Sequence, residues 1–463
     1  MSVVAARKTP RRRSGRRFLI ILVALVVIVG AALFWVNQVA EAAVSASAVL
    51  TVYQPVTSVQ PGSGTFGPAT TGTLVHPGDS IQTDTKGRAS IALPDGSITR
   101  LAGDTQTRLD SAHFSRDGTL HDARFFQQVG RTLNHVQHLV SGATFQVAGQ
   151  SAVASVRGTL FEVLVNADGS MTVKLFDGTL DFDGKNHVHL TAGQQATADP
   201  QGNIGDPTTI QNDPNDPFGS QIGASNAVAT DTTPGTEQDA IGAPLHNGEQ
   251  QTSITYSYAG GPLVKAVLGY SGGAMELTVQ APDGSKTSGT GASPIVVDVK
   301  NAPAGVFTIV VTGLSGLGAT GFEPFVAVAS VETCTSADVD LDGAVHRGYS
   351  SQDLETAVQV PGLSNLHLNV VGANSIAGGT ITGSGTYNGV GWGGTIVLVA
   401  HGGVLMVIAV DASVFGWVHI PATQILQQLS AAARQDPSNI NPGFTVDRLF
   451  TCNSILVIDG HHG

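Results

Sequence analysis

The stretch ASIALPDGSITRL, Ala89 to Leu101, alternates apolar and polar residues on both sides of Pro94-Asp95-Gly96. Few structures accept that pattern. A two-residue period is that of a strand buried on one face, and an Asp-Gly pair between two such runs is a hairpin turn. The device returns in FEVLVNADGSMTVKLFDGTLDF, Phe161 to Phe182, with turns at Asp168-Gly169 and Asp177-Gly178. It returns again in MELTVQAPDGS, Met275 to Ser285, and AGVFTIVVTG, Ala304 to Gly313. Only 13% of the residues are charged, and glycine reaches 57. A chain of 463 residues exceeds one typical domain. The expected fold class is mainly β, in several domains.

The charge is unevenly placed. Arg7, Lys8, Arg11, Arg12, Arg13, Arg16 and Arg17 precede the first acid, Glu41. The rest of the chain carries 16 basic against 35 acidic residues, a balance of −19. An acidic body excludes nucleic acid as a partner, because phosphate contacts need clustered Lys and Arg. After the basic tail, 1–17, comes FLIILVALVVIVGAALFWV, 18–36, with no charged residue. Nineteen apolar residues are about enough helix to cross a bilayer, and the arginine flank keeps its N-terminal side cytoplasmic. A cleaved signal peptide is the rival reading, with small-x-small sites at Ala40-Glu41-Ala42 and Ala46-Ser47-Ala48. A signal core of about 7–15 residues is shorter than this run, which favours an uncleaved anchor. On either reading the remainder faces outside the cytoplasm, in the cell envelope. Cys334 and Cys452, an even pair in that compartment, are expected to form one disulfide.

The organisation follows from where the alternation stops and restarts. A stalk covers 37–49 and a first β block 50–195. From 196 to 251 the chain is rich in Pro, Asp, Asn and Gly without an apolar period and reads as a flexible linker. A β-sandwich is expected at 252–332 and an α+β domain at 333–459, with a tail at 460–463. The helix of the last domain is PATQILQQLSAAARQ, Pro421 to Gln435, with proline at its start and a stripe of Ile425, Leu426 and Leu429.

SVRGTLFEV, Ser155 to Val163, interrupts a strand with arginine and glycine. Before Gly158 the small apolar residues fall on even positions, Ala152, Ala154 and Val156. After it the large ones fall on odd positions, Phe161, Val163 and Val165. Side chains alternate faces, so the buried face changes parity, and a β-bulge at Gly158 accounts for the slip. Arg157, Gly158 and Thr159 then form a structural motif, with Arg157 pinning the local architecture.

These segments together resemble the extracytoplasmic FecR domain: PGDSIQT with GRASIALPDGSITRL, Pro77 to Leu101; GRTLNHVQHLVSGATFQV leading into AVASVRGTLFEV, Gly130 to Val163; and VKLFDGTLDF, Val173 to Phe182. The resemblance covers roughly residues 50–195 and implies an all-β domain outside the cytoplasmic membrane. In the best-known members that domain passes a signal from an outer-membrane receptor, and a cytoplasmic N-terminal domain controls a sigma factor. Here only seventeen residues precede the candidate span, too few for a core, so no anti-sigma module is expected there. More distantly, MELTVQAPDGS and AGVFTIVVTG resemble the β-sandwich appended to secreted bacterial peptidases, an accessory module without catalytic residues.

Few residues suggest chemistry. DVDLDG, Asp338 to Gly343, opens like a calcium loop with Asp338, Asp340 and Asp342, but position twelve is Tyr349 rather than an acid. The alternative is a strand with Val339 and Leu341 inward, ending in an Asp-Gly turn. His135 and His138 face opposite sides of an extended run. His187 and His189 share a strand face, and two ligands without a third make no zinc site. No catalytic centre, metal or cofactor is expected. The expected protein is a membrane-anchored envelope protein with a binding or sensing role, its partner an envelope protein or cell-wall ligand. The alternatives are a transmembrane signalling regulator acting through a separate cytoplasmic partner, and a lipid carrier or enzyme in the C-terminal domain.

Overall fold

The computed structural model describes residues 44–462 except 46, 115–119, 140, 212, 214–215, 234, 335, 337, 342, 358–362, 372–377, 388, 415–417, 420–435 and 437–438. The basic tail, the candidate span 18–36 and the expected helix 421–435 lie outside the described residues, as does Asp342. Among the described residues no helix is long and apolar enough to cross a membrane. Among the described residues strands dominate, as the alternation predicts, with two helices, α1 at Gly219–Ala229 and α2 at Ser351–Ala357.

The strands between 44 and 209 close into a barrel of two sheets. One 17-residue strand, Leu120–Val136, belongs to both. Its first half lies antiparallel to Gln106–Phe114 and parallel to Thr144–Ala148. Its second half lies antiparallel to Ile98–Leu101 and Thr159–Val165. Gly130, between the halves, has φ +96°, and a Cβ there would collide with Thr105. Glycine accepts both the conformation and the close approach. Phe125, Phe145, Phe161 and Phe182 fill the core, with ring centroids 5.7 Å apart for Phe125–Phe145 and 6.3 Å for Phe145–Phe161. The stalk expected at 37–49 ends inside this barrel: Val44 pairs with Phe114, and Ala48 and Val49 are buried.

The hairpin at Ala89–Leu101 is present, with Gly96 in its turn, and so is the hairpin of Thr159–Val165 with Met171–Asp177. The turn expected at Asp177-Gly178 is different. Met171–Asp177 belongs to the second sheet, while Thr179–Asp183 pairs with Val153–Val156 in the first. The chain changes sheets there instead of turning back.

The segment expected as a flexible linker, 196–251, carries ordered structure. Gln194–Ala198 pairs with Met171–Lys174, Phe218 is fully buried, α1 follows, and Gln238–Ile241 joins the sandwich. The sequence pattern hides this because α1 is small and weakly patterned. Its Ala224 and Val228 still pack on Val267, Phe325 and Ala327.

The sandwich consists of two four-stranded sheets. One holds Gln238–Ile241, Phe325–Val331, Gly261–Gly269 and Ile295–Ala302; the other holds Gln250–Tyr258, Gly305–Ser315, Ala274–Gln280 and Lys286–Thr290. Their inner faces meet around Tyr256, Leu277, Phe307 and Val328. After it come a four-stranded sheet, with Ala344–Ser350, Thr445–Cys452 and Ile455–His461, and a five-stranded sheet spanning Leu363 to His419. Val397, Val399, Met406 and Ile408 of the latter pack into the core of the barrel, so the last region touches the first. Cys334 and Cys452 are disulfide-bonded, Cα atoms 5.5 Å apart.

Candidate functional site

SVRGT is a corner between sheets. Val153–Val156 lies in the first sheet and Thr159–Val165 in the second. Gly158 makes the change at φ +129°, and a Cβ on it would sit 2.8 Å from the Cα of His138. The parity shift therefore arises from a change of sheet. The register irregularity lies further on, opposite Leu160 and Phe161. Gly178 makes the reverse change beside it, where a Cβ would lie 2.7 Å from the Gly158 carbonyl oxygen. Arg157 is exposed, and its carbonyl accepts a hydrogen bond from the Leu139 N–H at 3.0 Å; Thr159 is buried.

Beyond this corner lies a charge cluster that alternation did not reveal. Thr159–Val165 and Met171–Asp177 turn Phe161, Val163, Val173 and Leu175 to the core, which puts Glu162 and Lys174 on the other face. That face is covered too, by Asp213, Asp216 and Phe218. Lys174 Nζ lies 2.6 Å from Asp216 and 3.1 Å from Glu162, and Arg131 lies 3.0 Å from Asp213, 3.3 Å from Glu162 and 3.4 Å from Asp216. Phe218 seals the side against Ala102, Leu133 and Leu160. Burial, with the Asp216 carboxyl beside it, pushes Glu162 up to about 8. Burial opposes ionisation of Asp216 as well, yet hydrogen bonds from Glu162 and Lys174 hold its carboxyl below the usual range. An open cleft of about 420 Å³ reaches Arg131 and is also lined by Arg88, Asp104, Asn166 and Pro217. Glu323 sits 3.4 Å from Arg88.

Two more clusters occupy the junctions of the sandwich. Arg100 of the barrel meets Asp239 of the sandwich at 2.6 Å, and Tyr53 donates to the same carboxylate at 2.7 Å. Partly buried Glu237 is pushed up to about 7, first by burial and then by the charge of Asp239. At the other junction Arg448 meets Asp459 at 2.5 Å and lies 3.7 Å from Glu332. Its guanidinium stacks 3.8 Å over the Tyr256 ring. His346 bonds Asp459 at 2.7 Å. Burial, then the charge of Asp459, pushes Glu332 up to about 7. Asp459 stays low despite burial because Arg448 and His346 favour its carboxylate. Glu332, His346 and Asp459 place three ligand atoms within 4.8 Å of one another. The donor set does not suit an added cation, since the Arg448 guanidinium already supplies the positive charge there.

Each remaining candidate among the described residues has a place. Asp340 is held by Arg347 at 3.2 Å and by His462 at 3.1 Å, which spends the carboxylate on side chains of its own sheet region, and Asp338 is exposed. Val339–Leu341 is a strand followed by Gly343 at φ +83°, the strand-and-turn alternative to a calcium loop. Burial, and then Arg100, push His135 down to about 4, while His138 is exposed. His187 and His189 lie opposite Asp183 and Asp181 on an exposed hairpin.

With the corner and the barrel in place, the comparison with known families is specific. Residues 79–181 match the family described as FecR protein. The FecR domain thus spans the hairpin at Ala89–Leu101, the long shared strand and the SVRGT corner. Two crystal structures of a candidate anti-sigma factor from Parabacteroides distasonis are also similar in part. One is 19% identical, with 30% of this chain and 64% of that chain covered and a TM-score of 0.26. The other is 21% identical, with 28% and 60% covered and a TM-score of 0.25. This chain therefore spans under two thirds of the length of either. No curated protein matches.

Proposed function

We propose that this is a single-pass envelope protein that displays a FecR domain outside the cytoplasmic membrane and acts by binding or sensing, without catalysis. The FecR match at residues 79–181 carries this reading. The use of the charged side chains supports it. Glu162, Lys174, Arg131, Arg100, Asp239, Arg448 and Asp459 are each spent on ion pairs, within one sheet for Lys174–Glu162, Arg131–Glu162 and Arg448–Asp459 and across a junction for Arg100–Asp239. Groups locked in such pairs serve architecture rather than proton transfer. The anchor is the uncharged run 18–36, with the arginine-rich end in the cytoplasm. The partner is an envelope protein or cell-wall ligand.

Topology and partner have separate tests. Protease added outside intact spheroplasts should remove the body of the chain and leave a basic, membrane-embedded stub. A mature N-terminus near Ala43 or Val49 would overturn the anchor. In-cell crosslinking followed by pull-down of the full chain should capture an envelope component. A second reading, a signalling regulator with a separate cytoplasmic partner, follows from the role of FecR domains in signal transfer. A two-hybrid screen with residues 1–17 that finds a sigma-factor or anti-sigma partner would favour it.

A further inference from the structure

The hairpin of Thr179–Asp183 and His187–Thr191 has one buried and one exposed face. Leu180, Phe182 and Leu190 point into the barrel core and fix its position. Alternation puts Asp181, Asp183, His187 and His189 together on the outer face, with Asp181 opposite His189 and Asp183 opposite His187. Their side chains are each about half exposed. Asp181 lies between the two histidines. Its Oδ1 is 2.8 Å from His189 Nδ1 and 3.6 Å from His187 Nε2. His187 Nδ1 is meanwhile tied to Asp183 at 2.7 Å.

We propose that His187, His189 and Asp181 bind one zinc-class divalent cation, with Asp183 orienting His187. The sequence offers two histidines on one face; the hairpin supplies the third ligand from the neighbouring strand. Two imidazoles and a carboxylate form a donor set that suits zinc, and solvent fills the fourth position. Bonds of about 2.0–2.2 Å to a tetrahedral ion place neighbouring ligand atoms about 3.4 Å apart, near the two separations from Asp181, while the ring nitrogens of His187 and His189 do not lie within 4.8 Å of each other and must close on the ion. The exposed rings need only side-chain rotation to converge, because the strands beneath them are held by the core. The Asp183–His187 contact is the outer-shell carboxylate that fixes the ring and leaves Nε2 facing Asp181. The site goes beyond the proposed function and does not depend on the membrane anchor.

The test is calorimetric titration of the untagged full chain with Zn²⁺, backed by Co²⁺ absorbance as a report of imidazole ligation. One equivalent should saturate, and Ca²⁺ and Mg²⁺, which prefer oxygen donors, should not compete. His187→Ala with His189→Ala, or Asp181→Asn, should abolish that saturation. Asp183→Asn, which removes no ligand, should weaken binding about tenfold. All four positions are exposed, so the fold should survive, and unchanged melting curves verify it. Zinc uptake that persists in the double histidine variant, or no uptake by the parent chain, overturns the site.

Discussion

Arg100 and Asp239 meet at 2.6 Å where the barrel joins the sandwich; Arg448 and Asp459 meet at 2.5 Å where the sandwich joins the C-terminal sheet. Each pair has a tyrosine beside it and a carboxyl pushed up to about 7, Glu237 in one case and Glu332 in the other. The first pair crosses its junction, one partner on each side. The second lies within one sheet, between Thr445–Cys452 and Ile455–His461. There the crossing falls to Glu332, to the Tyr256 ring and to a Ser257–Asp447 hydrogen bond. The disulfide is at this second junction, with Cys334 two residues after Glu332. Where the ion pair itself spans the boundary no covalent link is present; where it does not, the link is covalent.

The largest expected effect comes from removing that link. Cys334→Ser with Cys452→Ser frees a loop whose ends are 118 residues apart. The chain-entropy model assigns about 4.7 kcal/mol to a loop near that size. Hydrogen exchange should show the loss in Thr445–His461 and leave Ile98–Leu101 protected. Equal loss at both junctions would break the contrast.

Removing the arginines comes next. Arg448→Met leaves Asp459 and Glu332 buried without a cation and should cost about 3–5 kcal/mol in denaturant unfolding. Arg100→Met should cost less, because the Asp239 side chain is 14% exposed and water can reach it. Adding Glu332→Gln and Asp459→Asn should recover part of the Arg448→Met loss. A larger effect at Arg100 would reverse the ranking.

Acidity sharpens the comparison further. Glu332 and Glu237 have folded values raised to about 7 from 4.5. A raised carboxyl gives stability that is complete below its unfolded value and is lost as pH rises through its folded one. Both junctions should therefore weaken between pH 5 and pH 8, by on the order of 2 kcal/mol at Glu332. Asp459 acts in the opposite sense, since its depressed value gives stability that is lost only as strong acid protonates it. Melting curves of Glu332→Gln and Glu237→Gln across that range should each flatten one junction's share. A pH-independent melting temperature in the parent chain would refute both.

The smallest effect concerns the corner. Gly158→Val forces a β-branched residue to φ +129° against His138 and should cost at least about 1 kcal/mol, chiefly in the barrel. An unchanged barrel transition would count against the corner's constraint.

The strand pattern made the mainly β architecture, the hairpin at Ala89–Leu101 and the FecR region legible, because a strand with one wet face writes its burial into alternation. The change of face at Gly158 was legible too, but its cause was not. A bulge and a change of sheet give the same parity slip, and only pairing partners distinguish them. The charge clusters were hidden for a related reason. Lys174 and Glu162 occupy positions that alternation assigns to solvent, and nothing local says that Asp216 and Phe218 return to cover them. The usable signal was compositional: an acidic segment, 213–216, in a chain with basic residues on otherwise apolar strands. Arg448 and Asp459 likewise needed tertiary placement before their pairing showed.

The touching glycines at 158 and 178 have a kinetic consequence. The chain leaves the first sheet at one and returns at the other, so the excursion through Thr159–Val165 and Met171–Asp177 begins and ends at the same place. Closing so short an excursion costs little chain entropy, and its hairpin contacts are local. It is the piece of the barrel best suited to form first and to offer its edges to the more distant strands. Val163→Ala should then slow refolding, whereas Val156→Ala, outside the excursion, should mainly hasten unfolding. In stopped-flow measurements the reverse order would place the nucleus elsewhere. With the expected order, the glycine pair marks where a slow, long-range β topology acquires a fast local start.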